Sequence, residues 1–242
     1  MALSSLEISD LESRRSLYDI ERSRFGEGAS LVHRLIYIGN IKNRSEEPSV
    51  VLSQLQEDIL YLREKEGEII SGLLVMYQVQ FFVVLESSEK YISALIQHLK
   101  SAIGGKLIKR VKLLVMSHDV FRLFRQMHFC LLDIHSQNME VFETLDTIEK
   151  LQVDLIQQIL LLGAHLNQQH KGDFQRVLET MSTRNPALLP QQALIHYLLK
   201  NEEEGLTIEQ LIDMFTKPFD IVLQNDLVWP LQKYLYPNDY ME

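Results

Sequence analysis

Histidines, one cysteine and a few neighbouring charged groups are the residues of this chain that could do chemistry. The eight histidines include no pair four positions apart with a matching third ligand, and Cys130 is the single cysteine. Neither a structural nor a catalytic zinc site is therefore indicated. His118 and Asp119 beside Arg122 have the residue types of a reactive group, but we interpret them as an Asx-type turn or a local ion pair.

Nucleophile and phosphate-binding motifs are missing from the sequence as well. It contains no Gly-x-Ser-x-Gly segment and no Cys–His signature. Gly104-Gly105-Lys106 lacks the spacing and the hydroxyl residue of a phosphate-binding loop. The sequence therefore predicts a protein that is not an enzyme and that has no cofactor, no metal and no small-molecule substrate.

Charge and composition exclude further classes of function. The 242 residues carry 33 acidic and 24 basic side chains, a formal net charge of −9, and are 46% hydrophobic, as in ordinary globular proteins. Nine acidic residues against two lysines give residues 201–242 a charge of −7, which disfavours nucleic acid as a partner. No apolar run is long enough to span a membrane, and the first residues resemble no targeting peptide. With a single cysteine, this pattern favours a cytosolic protein.

One basic cluster stands out against this acidity. Its members are Lys106, Lys109, Arg110, Lys112, Arg122 and Arg125. We interpret the cluster as a solvated edge that keeps a strand from aggregating. The alternative is a docking patch for an acidic partner.

The apolar pattern predicts the elements that must position these residues. β-branched and aromatic runs predict strands, and apolar residues at helical spacing predict helices. Their order is strand, helix, strand, strand, helix, strand, strand, over residues 32–38, 51–64, 69–76, 79–85, 91–99, 107–116 and 127–134. This order predicts a ferredoxin-like α+β fold, in which two helices pack on one face of an antiparallel sheet.

The chain is predicted to divide into four parts. They are a charged N-terminal arm, a ferredoxin-like domain, a helical extension and an extended acidic aromatic tail, over residues 1–28, 29–136, 137–218 and 219–242 respectively. In the extension, apolar residues at helical spacing from Val141 to Leu166 predict a long helix or a broken helix pair that ends near His170. Thr207 and Gln210 predict a capping box that opens a further helix.

Three segments of the predicted domain resemble the blue-light-using flavin (BLUF) family, whose domain is itself ferredoxin-like. They are Arg34-Leu35-Ile36-Tyr37, Ile70-Ser71-Gly72-Leu73-Leu74 and Val84-Leu85-Glu86, which keep the order and spacing of that family. The resemblance covers about residues 30–136, and it implies the BLUF-like fold.

The flavin chemistry of that family does not carry over. The family's tyrosine is kept as Tyr37, but its flavin-binding asparagine falls near Glu64 or Lys65 and its light-switching glutamine falls on Val83. A valine offers a flavin ring no hydrogen bond, and each buried polar group left unpaired costs about 1–3 kcal/mol. We therefore interpret Tyr37 as a core residue at a vestigial flavin site.

A second resemblance runs from about His33 to Pro230. The chain is similar to the testis-expressed protein 47 family of sperm flagella, which has a BLUF-like domain and a helical extension. The segments that carry the likeness are His33-Arg34-Leu35, Ser71-Gly72-Leu73-Leu74, Val84-Leu85-Glu86-Ser87-Ser88, Met116-Ser117-His118-Asp119, Arg122-Leu123-Phe124, Leu188-Leu189-Pro190, Ile195-His196-Tyr197-Leu198 and Val228-Trp229-Pro230. The resemblance implies a structural subunit of the ciliary or flagellar axoneme, part of the cytoskeleton.

Two functions of different class follow from these resemblances. In the first, the protein is a non-catalytic axonemal subunit whose partners are axonemal proteins, with tubulin as a further candidate. The candidate contact residues are aromatic or apolar and lie in the arm and the tail: Leu17, Tyr18, Trp229, Pro230, Tyr234 and Tyr236. The alternative for Trp229 is that it folds back on its own helices. In the second, the protein is a degenerate BLUF-type sensor that still binds flavin or a nucleotide.

Overall fold

The computed structural model describes residues 31–42, 47–103, 107–132, 146–168, 174–184, 186–201 and 207–216. The strands within them are β1 His33–Ile41, β2 Ser71–Met76, β3 Gln80–Ser87, β4 Ile108–Ser117 and β5 Met127–Leu131. The helices are α1 Pro48–Glu66, α2 Glu89–Ala102, α3 Ile148–Gln168, α4 Phe174–Arg184, α5 Gln192–Lys200 and α6 Ile208–Thr216, with a short 3-10 turn at Pro186–Leu188.

The strands form one sheet in the order β4-β1-β3-β2-β5. Every neighbouring pair is antiparallel except β2 and β5, which run parallel. Two split strand–helix–strand units with the order β4-β1-β3-β2 make a ferredoxin-like arrangement, so the predicted α+β fold class is confirmed. The parallel pairing of β5 makes the complete sheet mixed, where the sequence predicts an antiparallel one.

Helices cover both faces of this sheet. Leu35 and Tyr37 of β1 pack toward α1 and α2, while Ile36 and Ile38 belong to the second core, under α3, α4 and α5. Helix α6 adds to the first of these two cores. Because neither face is open to water, β2 and β3 are buried at every residue and show continuous apolar runs in place of alternation.

Two glutamines of the extension bond to the outer strands of the sheet. The side chain of Gln175 accepts from the amide of Leu131 at 2.9 Å and donates to its carbonyl at 2.6 Å, as a neighbouring strand would. At the opposite side, Gln152 donates to the carbonyl of Leu114 at 2.8 Å. Leu114 is the residue that a β-bulge skips in the register between β1 and β4. The amide and carbonyl of Leu131 and the carbonyl of Leu114 are thus satisfied within the chain.

Local signals explain where several helices begin and end. Pro48 opens α1, where its missing N–H costs nothing, and Gly67 closes it in a left-handed conformation with φ +70°. Ser88 caps α2 by accepting from the amide of Tyr91. At α6, Thr207 N donates to Gln210 Oε1 at 3.0 Å and Gln210 N donates to Thr207 Oγ1 at 3.2 Å. The predicted capping box is therefore confirmed.

The extension differs from the sequence prediction in one helix. Helix α3 is a single helix over Ile148–Gln168, and the predicted end near His170 lies outside the described residues. The sequence analysis did not predict α4, although Phe174, Leu178 and Met181 recur there at helical spacing and the last two are buried. These side chains join the core shared by the second face of the sheet, α3 and α5.

Close approach requires glycine at two positions. Gly72 of β2 has φ +149°, and a Cβ there would lie 2.0 Å from the carbonyl oxygen of Val84. Gly163 of α3 faces the loop after β4, where a Cβ would lie 2.7 Å from Leu123 Cδ2 and 2.9 Å from Phe124 Cζ. At both positions a neighbouring segment lies so close to the backbone that even the Cβ of an alanine would clash with it.

Several sequence predictions fall outside the described residues. The candidate contact residues of the arm and the tail are among them and stay predictions: Leu17, Tyr18, Trp229, Pro230, Tyr234 and Tyr236. Gly104-Gly105-Lys106 and the first part of the predicted helix at Val141 also lie there. Among the helices that the structure describes, none has the length and apolar character needed to cross a membrane.

Candidate functional site

The vestigial flavin position lies at the middle of the sheet. The strand register sets Tyr37 of β1 opposite Val83 of β3, and Val83 opposite Leu74 of β2. All three side chains belong to the core under α1 and α2, and their exposed fractions are 3%, 0% and 0%. They form a continuous row of buried side chains across three strands.

The surroundings of this row are apolar and aromatic. The ring of Phe81 meets the ring of Tyr37 edge-on, with centroids 6.3 Å apart. Tyr91 of α2 is fully buried, and its hydroxyl donates to the carbonyl of Ile59 at 2.9 Å. Burial raises the pKa of Tyr37 and of Tyr91 well above the ordinary tyrosine value, so both stay protonated near neutral pH. The structure places Tyr37 in the core.

A second constellation lies at one end of the sheet, around a buried carboxylate. Glu86 of β3 has no exposed side-chain surface. Arg34 of β1 pairs with its Oε1 through Nη2 at 2.7 Å and donates to it through Nε at 2.8 Å. Ser71 of β2 donates to Oε2 at 3.0 Å. A buried charge needs such pairing and hydrogen bonding to be tolerated in the interior.

The same carboxylate holds the loop between β4 and β5. The backbone amides of Leu123 and Phe124 donate to Glu86 at 2.9–3.1 Å. In the reverse direction, Arg122 of the loop donates to Ser71 Oγ at 2.8 Å and to the Glu86 carbonyl at 2.9 Å. We call the set Arg34, Ser71, Glu86 and Arg122 the Glu86 cluster; it binds the loop to three strands.

Two histidines lie beside this cluster. His33 Nδ1 is 2.8 Å from His118 Nδ1, and the rings meet edge-on with centroids 5.0 Å apart. One of these nitrogens must carry the hydrogen and the other accept it. Burial first, and then the charge of His118, lower the pKa of His33. Asp119 follows in a left-handed turn with φ +53°. The described bonds of Arg122 go to Ser71 and to two backbone carbonyls and none goes to Asp119, which favours the turn interpretation of this segment.

The Glu86 carboxylate can hold structure together but offers a substrate no free oxygen. Every oxygen of the Glu86 carboxylate already accepts hydrogen bonds, and no part of the side chain reaches solvent. In the described ranges, no three histidine, cysteine or carboxylate side chains lie close enough to hold a metal ion. The arrangement is therefore that of a clamp on the β4–β5 loop.

Two members of the basic cluster, Arg110 and Lys112, bind the C-terminal end of α5. Lys112 is 6% exposed, and its Nζ donates to the carbonyls of Leu198 and Asn201 at 3.3 and 3.1 Å. Arg110 donates to the carbonyl of Leu199 at 3.3 Å. These carbonyls end α5 and carry the partial negative charge of a helix C-terminus, which is why cations bind there. The solvated-edge interpretation is wrong for these two residues, because α5 covers them.

The residues of the Glu86 cluster and the histidine pair come from five separate segments of the sequence. These are five of the eight segments that carry the second resemblance: 33–35, 71–74, 84–88, 116–119 and 122–124. The profile of the family described as "Testis-expressed protein 47" matches residues 31–217, which is most of the chain. The chain belongs to the testis-expressed protein 47 family. Five segments of the second resemblance therefore meet at the clamp.

Solved structures similar to this member of the testis-expressed protein 47 family include BLUF domains and light-regulated bacterial enzymes. "BlrP1 BLUF" is 20% identical, with 64% of this chain and 93% of that chain covered and a TM-score of 0.36. Klebsiella pneumoniae BlrP1 with FMN and cyclic diGMP is 26% identical, with 47% of this chain and 27% of that chain covered and a TM-score of 0.34. A bacterial light-regulated adenylyl cyclase is 22% identical, with 62% of this chain and 36% of that chain covered and a TM-score of 0.34.

The chain thus spans 27% and 36% of the two larger proteins, and nearly all of the isolated BLUF chain. The fold assignment rests on the strand order and pairing of the chain itself. FMN and cyclic diGMP are ligands of BlrP1 and are not assigned to this chain.

Proposed function

We propose that this protein is a non-catalytic structural subunit of the ciliary or sperm-flagellar axoneme, bound among the proteins of the doublet microtubules. The observation that carries the proposal is the match of the testis-expressed protein 47 family over residues 31–217. The family description names an expression site and no reaction. Its partners are axonemal proteins, with tubulin as a further candidate contact.

The packing of the domain supports a binding role over a sensing one. A flavin ring needs hydrogen-bonding side chains at its polar edge and space between the sheet and its helices. The position of the family's light-switching glutamine holds Val83, in a row that is 0–3% exposed and packed under α1 and α2. Inserting a ring system there would displace a packed core, which costs several kcal/mol.

Fractionation of flagella tests the proposal. Full-length tagged protein is expressed in ciliated cells, the membranes are removed with detergent, and the axonemes are sedimented and then extracted with increasing salt. The proposal expects the protein in the axonemal pellet and its release together with doublet-associated proteins. Recovery of the protein in the detergent-soluble fraction at every salt concentration would contradict it.

The tail and the arm are the first regions to test for contacts. Deletion of residues 219–242, or Trp229→Ala with Tyr234→Ala, is expected to reduce retention in the pellet, because aromatic side chains supply much of the energy of interfaces. In the arm, Leu17→Ser with Tyr18→Ser is expected to weaken binding far more than charge reversal at Arg22, since exposed ion pairs contribute only about 0–1 kcal/mol. Equal effects of the two arm variants would exclude the arm as an apolar contact.

A flavin assay tests the sensor alternative. Purified full-length protein is expected to be colourless and to leave the fluorescence of added FMN unchanged. A bound yellow chromophore, or saturable quenching of FMN at micromolar protein, would favour the degenerate sensor.

A further inference from the structure

Phe121 is the most exposed large hydrophobic residue among those the structure describes, with 91% of its surface in solvent. It lies in the loop between β4 and β5, next to residues with the opposite behaviour: Phe124 is 2% exposed and Leu123 packs against the core. A single exposed apolar side chain needs no explanation, whereas exposed apolar side chains that lie close together mark interaction sites.

The backbone that carries Phe121 is held on both sides. Before it, the amide of Val120 donates to the carbonyl of Val32 at 2.9 Å. At Phe121 itself, the carbonyl accepts from Arg34 at 2.7 Å, and after it the loop is bound to the buried carboxylate of Glu86. The ring is therefore presented from a loop that is already ordered. A preorganised contact loses less conformational entropy on binding than a flexible one.

A second exposed apolar side chain lies at the same end of the sheet. Ile69 precedes β2 and is 73% exposed, and its carbonyl accepts from Arg122 Nη2 at 3.1 Å and from Ser87 Oγ at 3.1 Å. The Glu86 cluster thus fixes the backbone positions of both Phe121 and Ile69. Together they give this end of the sheet two apolar side chains on rigid supports.

Two arginines lie beside these side chains. Glu86 is paired with Arg34, so that its negative charge is matched inside the cluster. The described bonds of Arg122 go to a hydroxyl and two carbonyls, which leaves its positive charge without a contacting carboxylate. Arg122 and Arg125 are both exposed, and Asp119 is the acidic residue of the same loop. Two exposed arginines therefore accompany the two apolar side chains, with Asp119 of the loop and Glu68 before Ile69 as adjacent acidic residues.

We propose that Phe121, Ile69, Arg122 and Arg125 form a docking surface for a partner protein whose own surface has an apolar pocket edged by carboxylates. Phenylalanine and arginine are both enriched at interfaces, and an apolar anchor with a charged rim is the usual arrangement of a binding hot spot. The surface deepens the proposed function and rests on it, because it supplies the described domain with a contact independent of the arm and the tail. The charge complementarity favours an acidic partner over a second copy of this chain, which would bring the same two arginines.

The test measures binding of the full chain to doublet microtubules prepared, without a salt wash, from flagella that lack the protein. Phe121→Ser should weaken binding by about tenfold to thirtyfold, the effect of losing a hot spot of about 2 kcal/mol. The matched control is Tyr61→Ser on α1, whose ring is 63% exposed and outside this surface, and its binding should stay within about twofold of the wild type. Arg125→Glu should weaken binding most at low salt, because screening reduces the effect of an exposed charge. Thermal unfolding of each variant should match that of the wild type, since all three side chains are exposed.

The outcomes separate this surface from the function on which it rests. If the wild type does not bind the doublets, the axonemal proposal fails and the surface fails with it. If the wild type binds and Phe121→Ser binds equally well, the surface alone is wrong. Two further results would contradict the acidic partner by showing another occupant of the surface. A wild-type dimer in sedimentation that Phe121→Ser dissociates would indicate a second copy of this chain. Protection of residues 1–30 from protease that Phe121→Ser abolishes would indicate the N-terminal arm.

Discussion

Glu86→Gln should be among the most damaging conservative substitutions in this protein. The carboxylate accepts from donors on four residues: Arg34, Ser71, Leu123 and Phe124. A glutamine has one acceptor oxygen, and its NH₂ group would face donors. It also removes the charge opposite Arg34, whose side chain is only 15% exposed. Breaking a buried ion pair by removing one partner costs about 3–5 kcal/mol, a large part of the ~5–15 kcal/mol that stabilises a domain.

Urea unfolding followed by far-UV circular dichroism measures this loss. Arg34→Met should cost a similar amount, and the double variant Arg34→Met/Glu86→Gln should be less destabilised than the sum of the two by about 1–3 kcal/mol, because no unpaired charge remains. Glu57→Gln on the exposed side of α1 is the matched control and should stay within about 0.5 kcal/mol of the wild type.

Hydrogen exchange locates the effect. The amides of Leu123 and Phe124 donate to Glu86, so they should lose protection in Glu86→Gln before the amides of the central strands do. The reasoning is refuted if Glu86→Gln is no less stable than Glu57→Gln, or if the two single substitutions at the ion pair are strictly additive.

Three further predictions follow from the described contacts. Val83→Gln should lower the free energy of unfolding by about 1–3 kcal/mol, because it buries an amide in an apolar row, and it should not create FMN binding; Val50→Gln, at an exposed site, is the control for stability. Burial lowers the pKa of His33 and of His128 below the ordinary value of 6.5, so on acidification the unfolded chain binds protons before the folded chain does, and the folded state loses stability. The thermal midpoint should therefore fall as the pH drops below 6.5, and the double substitution His33→Asn/His128→Phe should make that fall smaller. Gly72→Ala should cost well over the ~1 kcal/mol expected for Gly67→Ala in urea unfolding. Both glycines have positive φ, but the added Cβ meets a backbone carbonyl only at position 72.

The sequence is sufficient to predict the elements whose signals are local. The spacing of Val51, Leu55, Ile59 and Leu62 predicts α1, and all four side chains are buried in the structure. The capping box at Thr207 depends on two residues three positions apart, and it forms as predicted. Helix α4 was missed because its short amphipathic pattern follows directly on a longer helix and carries few apolar residues.

The Glu86 cluster could not be predicted from the residues alone. Arg34 and Glu86 are 52 positions apart, and Arg122 is 36 positions beyond Glu86. In the sequence, Glu86 reads as the polar end of an apolar strand. Its burial follows from the loop that crosses it after β4, and the path of that loop depends on the tertiary fold. The family resemblance identified the relevant segments without revealing that they meet.

The burial of Lys112 could not be predicted from the sequence either. A lysine within a basic run is normally solvated, and its sequence context gives no other indication. The structure buries it because α5 ends over the strand and offers its terminal carbonyls as acceptors. Whether a charge is solvated or bound depends here on a helix that begins 80 residues later in the chain.

The contacts of Gln152 and Gln175 bear on how the protein behaves at high concentration. An unprotected outer strand is a template on which other chains can add, and it leads toward cross-β aggregates at high concentration. Here the carbonyl at the bulge of β4 and both backbone groups of Leu131 in β5 are already occupied by glutamine amides. At a high concentration of the free protein, addition of another chain at these backbone positions would first have to displace a glutamine side chain, which disfavours polymerisation through the sheet edges.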